Sequence, residues 1–179
     1  MSSLVSALKG YIQIIDALND RVGKAVSWLT LVMVLGTFLI VVLRYALNYG
    51  SVASQECIAY LHALVFMMGV AYTLKVDGHV RVDIFYQGFS RRTKAWVDCS
   101  GVILLLLPVS AFIGWSSWDY VVESWKIHES SGNSGGLPGV FLIKSTLVIT
   151  ACLLALQGSA LFLDSLLIAL DLKPVKESD

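Results

Sequence analysis

The sequence predicts an all-α integral membrane protein: four transmembrane helices plus amphipathic interfacial helices, with both termini in the cytoplasm. Mean hydropathy is +0.74, and 56% of the 179 residues are hydrophobic while 15% are charged. Soluble domains carry about 25% charge. Four runs free of Asp, Glu, Lys and Arg lie at 25–43, 57–74, 99–118 and 145–163. Each is close to the roughly 20 residues that cross ~30 Å of hydrocarbon. Backbone groups in lipid must bond within their own segment, which makes such runs helices. The cations sort by side: Lys9, Arg21, Lys24, Lys75, Arg81, Arg91, Arg92, Lys94, Lys173 and Lys176 fall on one, and Arg44, Lys126 and Lys144 on the other. Ten against three places the termini and the loop at 75–98 in the cytoplasm. Residues 1–179 read as a single membrane domain.

Residues 4–22 precede the first run. Leu4, Leu8, Tyr11, Ile15, Leu18 and Val22 follow steps of three and four, the spacing of an amphipathic helix lying in the interface or against a partner. The run at 25–43 is expected to be an anchor and not a cleaved signal. It is 19 residues long, follows 24 residues of patterned sequence, and is succeeded by Arg44-Tyr45-Ala46-Leu47-Asn48 with no small-residue cleavage pattern. Arg44 and Glu56 bracket the short outer loop and could pair across the tops of the first two helices, a screened contact of little energetic weight.

The second run ends in the densest charge of the chain, GHVRVDIFYQGFSRRTKAWVD at 78–98. Gly78 suits a helix C-cap with Lys75 in the last turn, and Asp83 suits the first turn of a new helix. Val82, Phe85, Phe89, Trp96 and Val97 lie on one helical face, so 80–97 reads as a cytoplasmic interfacial helix.

In the third run, Pro108 within LLLLPVS predicts a kink. Trp115, Trp118, Val122 and Trp125 step by 3, 4 and 3, carrying an aromatic stripe into the outer interface, with Asp119 and Glu123 on another face. The external segment 119–144 contains the one Gly/Ser-rich stretch, ESSGNSGGLPG at 129–139, whose glycines and Pro138 indicate a shaped turn.

Little in the sequence carries chemistry. Within the uncharged runs only His62 is ionisable, with Gln157 the other strongly polar side chain. A haem held by two histidines needs a second buried one, and His79 and His128 fall outside the runs on opposite sides. Cys57, Cys99 and Cys152 are odd in number, are not spaced as CxxC, and read as small core residues. No phosphate loop, metal-ligand cluster, nucleophile constellation, internal repeat or broken helix is present. The chain is therefore expected to be neither an enzyme nor a self-sufficient transporter, and no cofactor, metal site or substrate site is assigned to it. A redox-complex anchor with His62 as haem or quinone ligand, and a stand-alone channel or exporter, are the competing readings.

Arg44-Tyr45 with Asn48, Gln55-Glu56 opening the second run, and Gly78-His79-Val80-Arg81-Val82-Asp83 after it resemble the small (DctQ-type) membrane subunit of TRAP transporters, over roughly residues 20–170. GGLPG, Ile143-Lys144 and Leu156-Gln157-Gly158 resemble a common subgroup. The resemblance implies a subunit that scaffolds a large elevator-type membrane partner for sodium-coupled uptake of an organic acid delivered by a periplasmic binding protein. Expected partners are those two proteins and membrane lipid, with no nucleic acid, in a bacterial or archaeal cytoplasmic membrane. Arg44, Glu56, His79, Arg81, Asp83, Trp118 and Glu123 are the candidate partner-interface or structural residues.

Overall fold

The computed structural model describes residues 2–80, 86 and 88–172. Among these the chain is helical: α1 (Ser2–Ala46), α2 (Val52–Lys75), α3 (Arg91–Gly101), a π-helical turn (Val102–Leu106), α4 (Leu107–Lys126) and α5 (Val140–Ala169). Four helical segments are long and apolar enough to cross a membrane; the third is the unbroken succession from Arg91 to Lys126.

α1 joins the amphipathic segment and the first span into one helix of 45 residues, about 68 Å at 1.5 Å per residue. No Gly or Pro interrupts it between Lys24 and Leu43 except Gly36, which lies under α2, where an added Cβ would come 2.7 Å from Ile58. The buried face of the N-terminal half runs through Val5, Leu8, Ile12, Ile15, Asn19, Val22 and Val26. These positions alternate steps of three and four, the seam of a coiled coil. The apolar face read from sequence shares Leu8, Ile15 and Val22 with this seam. Leu4, Tyr11 and Leu18 lie outside it and are exposed. Their places are taken by neighbours one residue on, because the seam includes Asn19, a residue that reads as solvent-facing.

α2 starts at the N-cap Ser51, whose hydroxyl accepts from Ser54 N–H at 3.3 Å. Its end is a Schellman motif: Gly78 N–H donates to Thr73 O at 2.9 Å and Asp77 N–H to Leu74 O at 3.2 Å. The left-handed residue is Asp77, with φ 55°, and the glycine follows it. α3 begins at the N-cap Ser90. Residues 91–97 are therefore the first turns of the third span, while Tyr86 and Phe89 lie in the turn before it. Arg81–Phe85, with Arg81 and Asp83 among them, lie outside the described residues. The disturbance that Pro108 imposes is the π-helical turn: Leu107 N–H reaches back five residues to Val102 O, and Ser110 donates its hydroxyl to Leu106 O at 2.7 Å. Gly158 of α5 faces this bulge, where a Cβ would meet Leu106 Cδ2 at 2.7 Å. α4 continues to Lys126, so the connection to α5 shortens to 127–139.

α5 is the hub. It packs against α1, α2, α3, the π-helical turn and α4. α1, α2 and α5 form a triangle, whereas the third span touches the others only through α5 among the described residues. Such an arrangement encloses no lumen. The polar side chains buried along α5, such as Thr146 and Thr150, bond to helix carbonyls: Thr150 donates to Met67 O at 3.0 Å and Thr146 to Ile143 O at 2.6 Å. Outward faces are apolar: Trp28, Phe38, Leu104 and Phe112 are all about 70% exposed. Of the cysteines, Cys99 is buried; Cys57 and Cys152 are not core residues but face outward, where an apolar solvent accepts a small thiol as readily as a core does.

Candidate functional site

Two polar latches, at opposite ends of the helices, fix the surfaces this chain can offer. The first lies at the cation-rich end. The buried Asn19 donates from Nδ2 to Gln157 Oε1 at 2.7 Å, and Gln157 Nε2 donates to Asp16 Oδ1 at 3.0 Å. The carboxylate of Asp16 sets the orientation of both amides, because flipping Gln157 would oppose two acceptors. Next to them Asp20 accepts from Lys75, the last residue of α2, at 3.0 Å and pairs with Lys24 at 2.6 Å. Tyr11 and Ser159 hydroxyls share a hydrogen bond at 2.7 Å. One turn and a half of α1 thus holds the end of α2 and the middle of α5. A single buried amide within an apolar seam specifies register by penalising every shifted alternative.

The second latch is on the opposite side. Glu56, in the first turns of α2, accepts hydrogen bonds from the Ser131 hydroxyl, from Asn133 Nδ2 at 3.0 Å and from Leu137 N–H at 2.7 Å. The carboxylate gathers the Gly/Ser-rich connection around itself. Ser131 N–H closes on Leu137 O at 3.0 Å, Gly135 adopts φ 77°, and at Gly136 a Cβ would come within 2.8 Å of Glu56 Oε1. The first two glycines of GGLPG therefore have different causes, one a left-handed backbone and one a close approach. Glu129 is held by Lys144, whose ammonium also lies 3.8 Å from the Tyr120 ring. That neighbouring ammonium keeps the Glu129 carboxyl below the usual carboxylate range.

The candidate residues distribute over these surfaces as follows. Glu56 is committed to the loop and not to Arg44, which is exposed in the last turn of α1 and has no ion-pair partner among the described residues. Glu123 pairs with Lys126 at 2.6 Å on the exposed side of α4. Trp115 and Trp118 are exposed, while Trp125 donates to Ser145 Oγ at 2.8 Å and stands edge-on to Phe141. Between α4 and α5 the stripe leaves two shallow clefts of about 550 and 490 Å³ that meet at Trp118. His79 is exposed in the turn after α2, and His62 is exposed on α2, stacked on Phe66. Arg44, Glu56, Trp118 and Glu123 thus share one end of the helices, and His79 lies at the other.

Sequence reasoning missed the roles of Asn19, Gln157, Ser131 and Leu137. Gln157 carried a visible signal, a strongly polar side chain in an uncharged run. Asn19 carried one too, the spacing 12-15-19-22 that only a polar seam residue completes. Nothing local marked Leu137, because its contribution is a backbone N–H.

The model of one family, described as "Tripartite ATP-independent periplasmic transporters, DctQ component", matches residues 33–167. No curated protein and no solved structure matches the chain.

Proposed function

The chain belongs to the DctQ component family of tripartite ATP-independent periplasmic transporters, and from that premise we propose that it is the fixed scaffold on which the large membrane subunit of such a system moves. The family assigns it the place of the small permease subunit, a transporter component and not an enzyme, working with a large membrane subunit and a periplasmic binding protein. Beyond that place, we read the transported solute as an organic acid, its uptake as sodium-coupled, and the large subunit as an elevator that slides against a platform this chain widens. The membrane is the cytoplasmic one, with both termini inside, as the ten-to-three sorting of cations supports.

One observation supports the scaffold reading: among the described residues the third span joins the others only through α5, which leaves broad apolar faces and no lumen between the described spans. A part that encloses nothing but is pinned at both ends is suited to bracing a neighbour. At the outer end Arg44, Glu56 with its loop, Trp118 and Glu123 form the surface on which the binding protein docks. At the other end His79, Arg81 and Asp83 direct the chain from α2 into the third span, and membrane lipid covers the faces that protein leaves open.

The test is reconstitution. Proteoliposomes with the large subunit and this chain should take up solute in the presence of loaded binding protein, and this chain alone should not. Uptake by this chain alone would overturn the scaffold role. At finer scale, Glu123→Lys should weaken docking of the binding protein, and unchanged docking and uptake would remove Glu123 from that surface.

A further inference from the structure

We propose that the large membrane subunit packs on the outward face of α2 centred on His62, and that one of its transmembrane helices presents a hydrogen-bonding group to the imidazole. The proposal rests on the scaffold reading above and names the face that does the bracing. His62 is the one ionisable side chain within the four uncharged runs, and it is exposed. It lies six residues, about 9 Å, beyond Glu56 and thirteen, about 20 Å, before Lys75, well inside the span. Its ring stacks on Phe66, one turn farther from Glu56, with centroids 6.5 Å and planes 21° apart, which holds the imidazole at that level.

Hydroxyls on other outward faces bond to their own helices. Thr37 donates to Met33 O at 2.8 Å and Ser116 to Ile113 O at 3.3 Å, so neither brings a free donor to hydrocarbon. An imidazole carries at least one N–H donor, and His62 makes no hydrogen bond among the described residues. Acyl chains offer it no acceptor, and ionisable side chains within spans otherwise face protein or a water-filled cavity. The described spans enclose no lumen, so the missing partner comes from another chain.

The residues around His62 fit a helix. Gln55, Ala59, His62, Phe66 and Gly69 step by 4, 3, 4 and 3 along the outward side of α2, the spacing of a helix-packing seam. Glycine weakens a helix relative to alanine, and Gly23, Gly36 and Gly158 have reasons within the chain: an added Cβ would run into Tyr72, Ile58 and Leu106. At Gly69 a Cβ would meet nothing within 4 Å, so this chain makes no use of the missing side chain. Ala59 and Gly69, on either side of the His62–Phe66 stack, let a neighbouring backbone approach closely. α2 is also pinned at both ends, by Glu56 to the loop and by Lys75 to Asp20, so a partner pressed on this seam meets a fixed surface.

Binding of the tagged full chain to the large subunit, over a concentration series in one mild detergent, tests the face. His62→Leu should weaken binding about threefold to fifteenfold, the weight of one hydrogen bond between membrane helices. Gly69→Leu should weaken it at least as much. The melting temperature of each variant alone should match wild type, because His62 is exposed and a Cβ at 69 meets nothing. A photoreactive phenylalanine analogue in place of His62 should cross-link to the large subunit in membranes that hold both proteins. Cross-linking to a second copy of this chain or to lipid alone, or unchanged binding by either leucine variant, would overturn the proposal and leave the scaffold reading standing. A wild-type chain that binds no large subunit would overturn both.

Discussion

Replacing Gln157 with Leu removes two hydrogen bonds at once, those to Asn19 at 2.7 Å and to Asp16 at 3.0 Å. Asp16 is only partly buried and regains water. Asn19 is fully buried; its Nδ2 keeps just a long contact with Ile15 O at 3.4 Å, and its Oδ1 already lacks a partner among the described residues. A hydrogen bond between helices in a membrane protein contributes about 0.6–1.7 kcal/mol, and stranding a buried donor costs about 1–3 kcal/mol. The single variant should therefore lose about 2–3 kcal/mol, a fall in melting temperature of roughly 4–12 °C for a chain of this size. Asn19→Leu should cost less than this, because it frees Gln157 to keep Asp16 as a partner. The double variant Asn19→Leu/Gln157→Leu should recover much of the loss, since an apolar pair in an apolar seam strands nothing. The coupling between the two positions is then about 1–2 kcal/mol. Thermal denaturation of the four proteins in one mild detergent measures the cycle. Additive losses, or a Gln157→Leu variant as stable as wild type, would refute the idea that these amides act as one latch.

Other consequences follow from the same contacts. Gly136→Ala, with its Cβ 2.8 Å from Glu56 Oε1, should open the loop between α4 and α5, and limited proteolysis within 129–139 should speed up several-fold while the helices stay intact. Glu56→Gln should do the same more weakly, because the amide keeps one acceptor oxygen but turns donors toward Leu137 N–H or the Ser131 hydroxyl. Gly158→Ala forces a Cβ to 2.7 Å from Leu106 Cδ2 and should cost about 1–3 kcal/mol, read in the same denaturation assay. Because Lys144 lowers the Glu129 pKa, that pair stabilises the loop above the ordinary carboxylate range and loses the contribution as pH falls through the lowered value. Loop proteolysis should accordingly be constant from pH 8 to about 5 and rise only below about 4.

The four spans were legible because lipid imposes one rule on every residue of a span, and a run without charge expresses it directly. Helix continuity was harder to read. The segment 4–22 looked separate from 25–43 because the polarity changes there, yet a change of polarity breaks no backbone hydrogen bond, and α1 runs through it. The seam was obscured by Asn19, since a buried amide is indistinguishable in sequence from a wet one until its partner, 138 residues away, is known. Glu56 shows the same limit from the other side. Arg44 was the natural electrostatic partner by proximity in sequence, but the carboxylate is occupied by a loop 75 to 81 residues later, partly through a backbone N–H that no residue type reveals. Pro108 announced a disturbance, and the form it takes, a π-helical turn and not a simple bend, depended on Gly158 leaving room opposite.

The central claim is that this chain stays rigid while its partner moves. Tyr11 and Ser159, joined at 2.7 Å across α1 and α5, offer the direct measurement. With Cys57, Cys99 and Cys152 replaced, cysteines at 11 and 159 can be bridged by a short, reducible bifunctional reagent in the complex with the large subunit. Solute uptake in proteoliposomes should then be the same before bridging, after it, and after reduction. Uptake that stops on bridging and returns on reduction would contradict the account, because it would mean that α1 and α5 must separate for transport to occur.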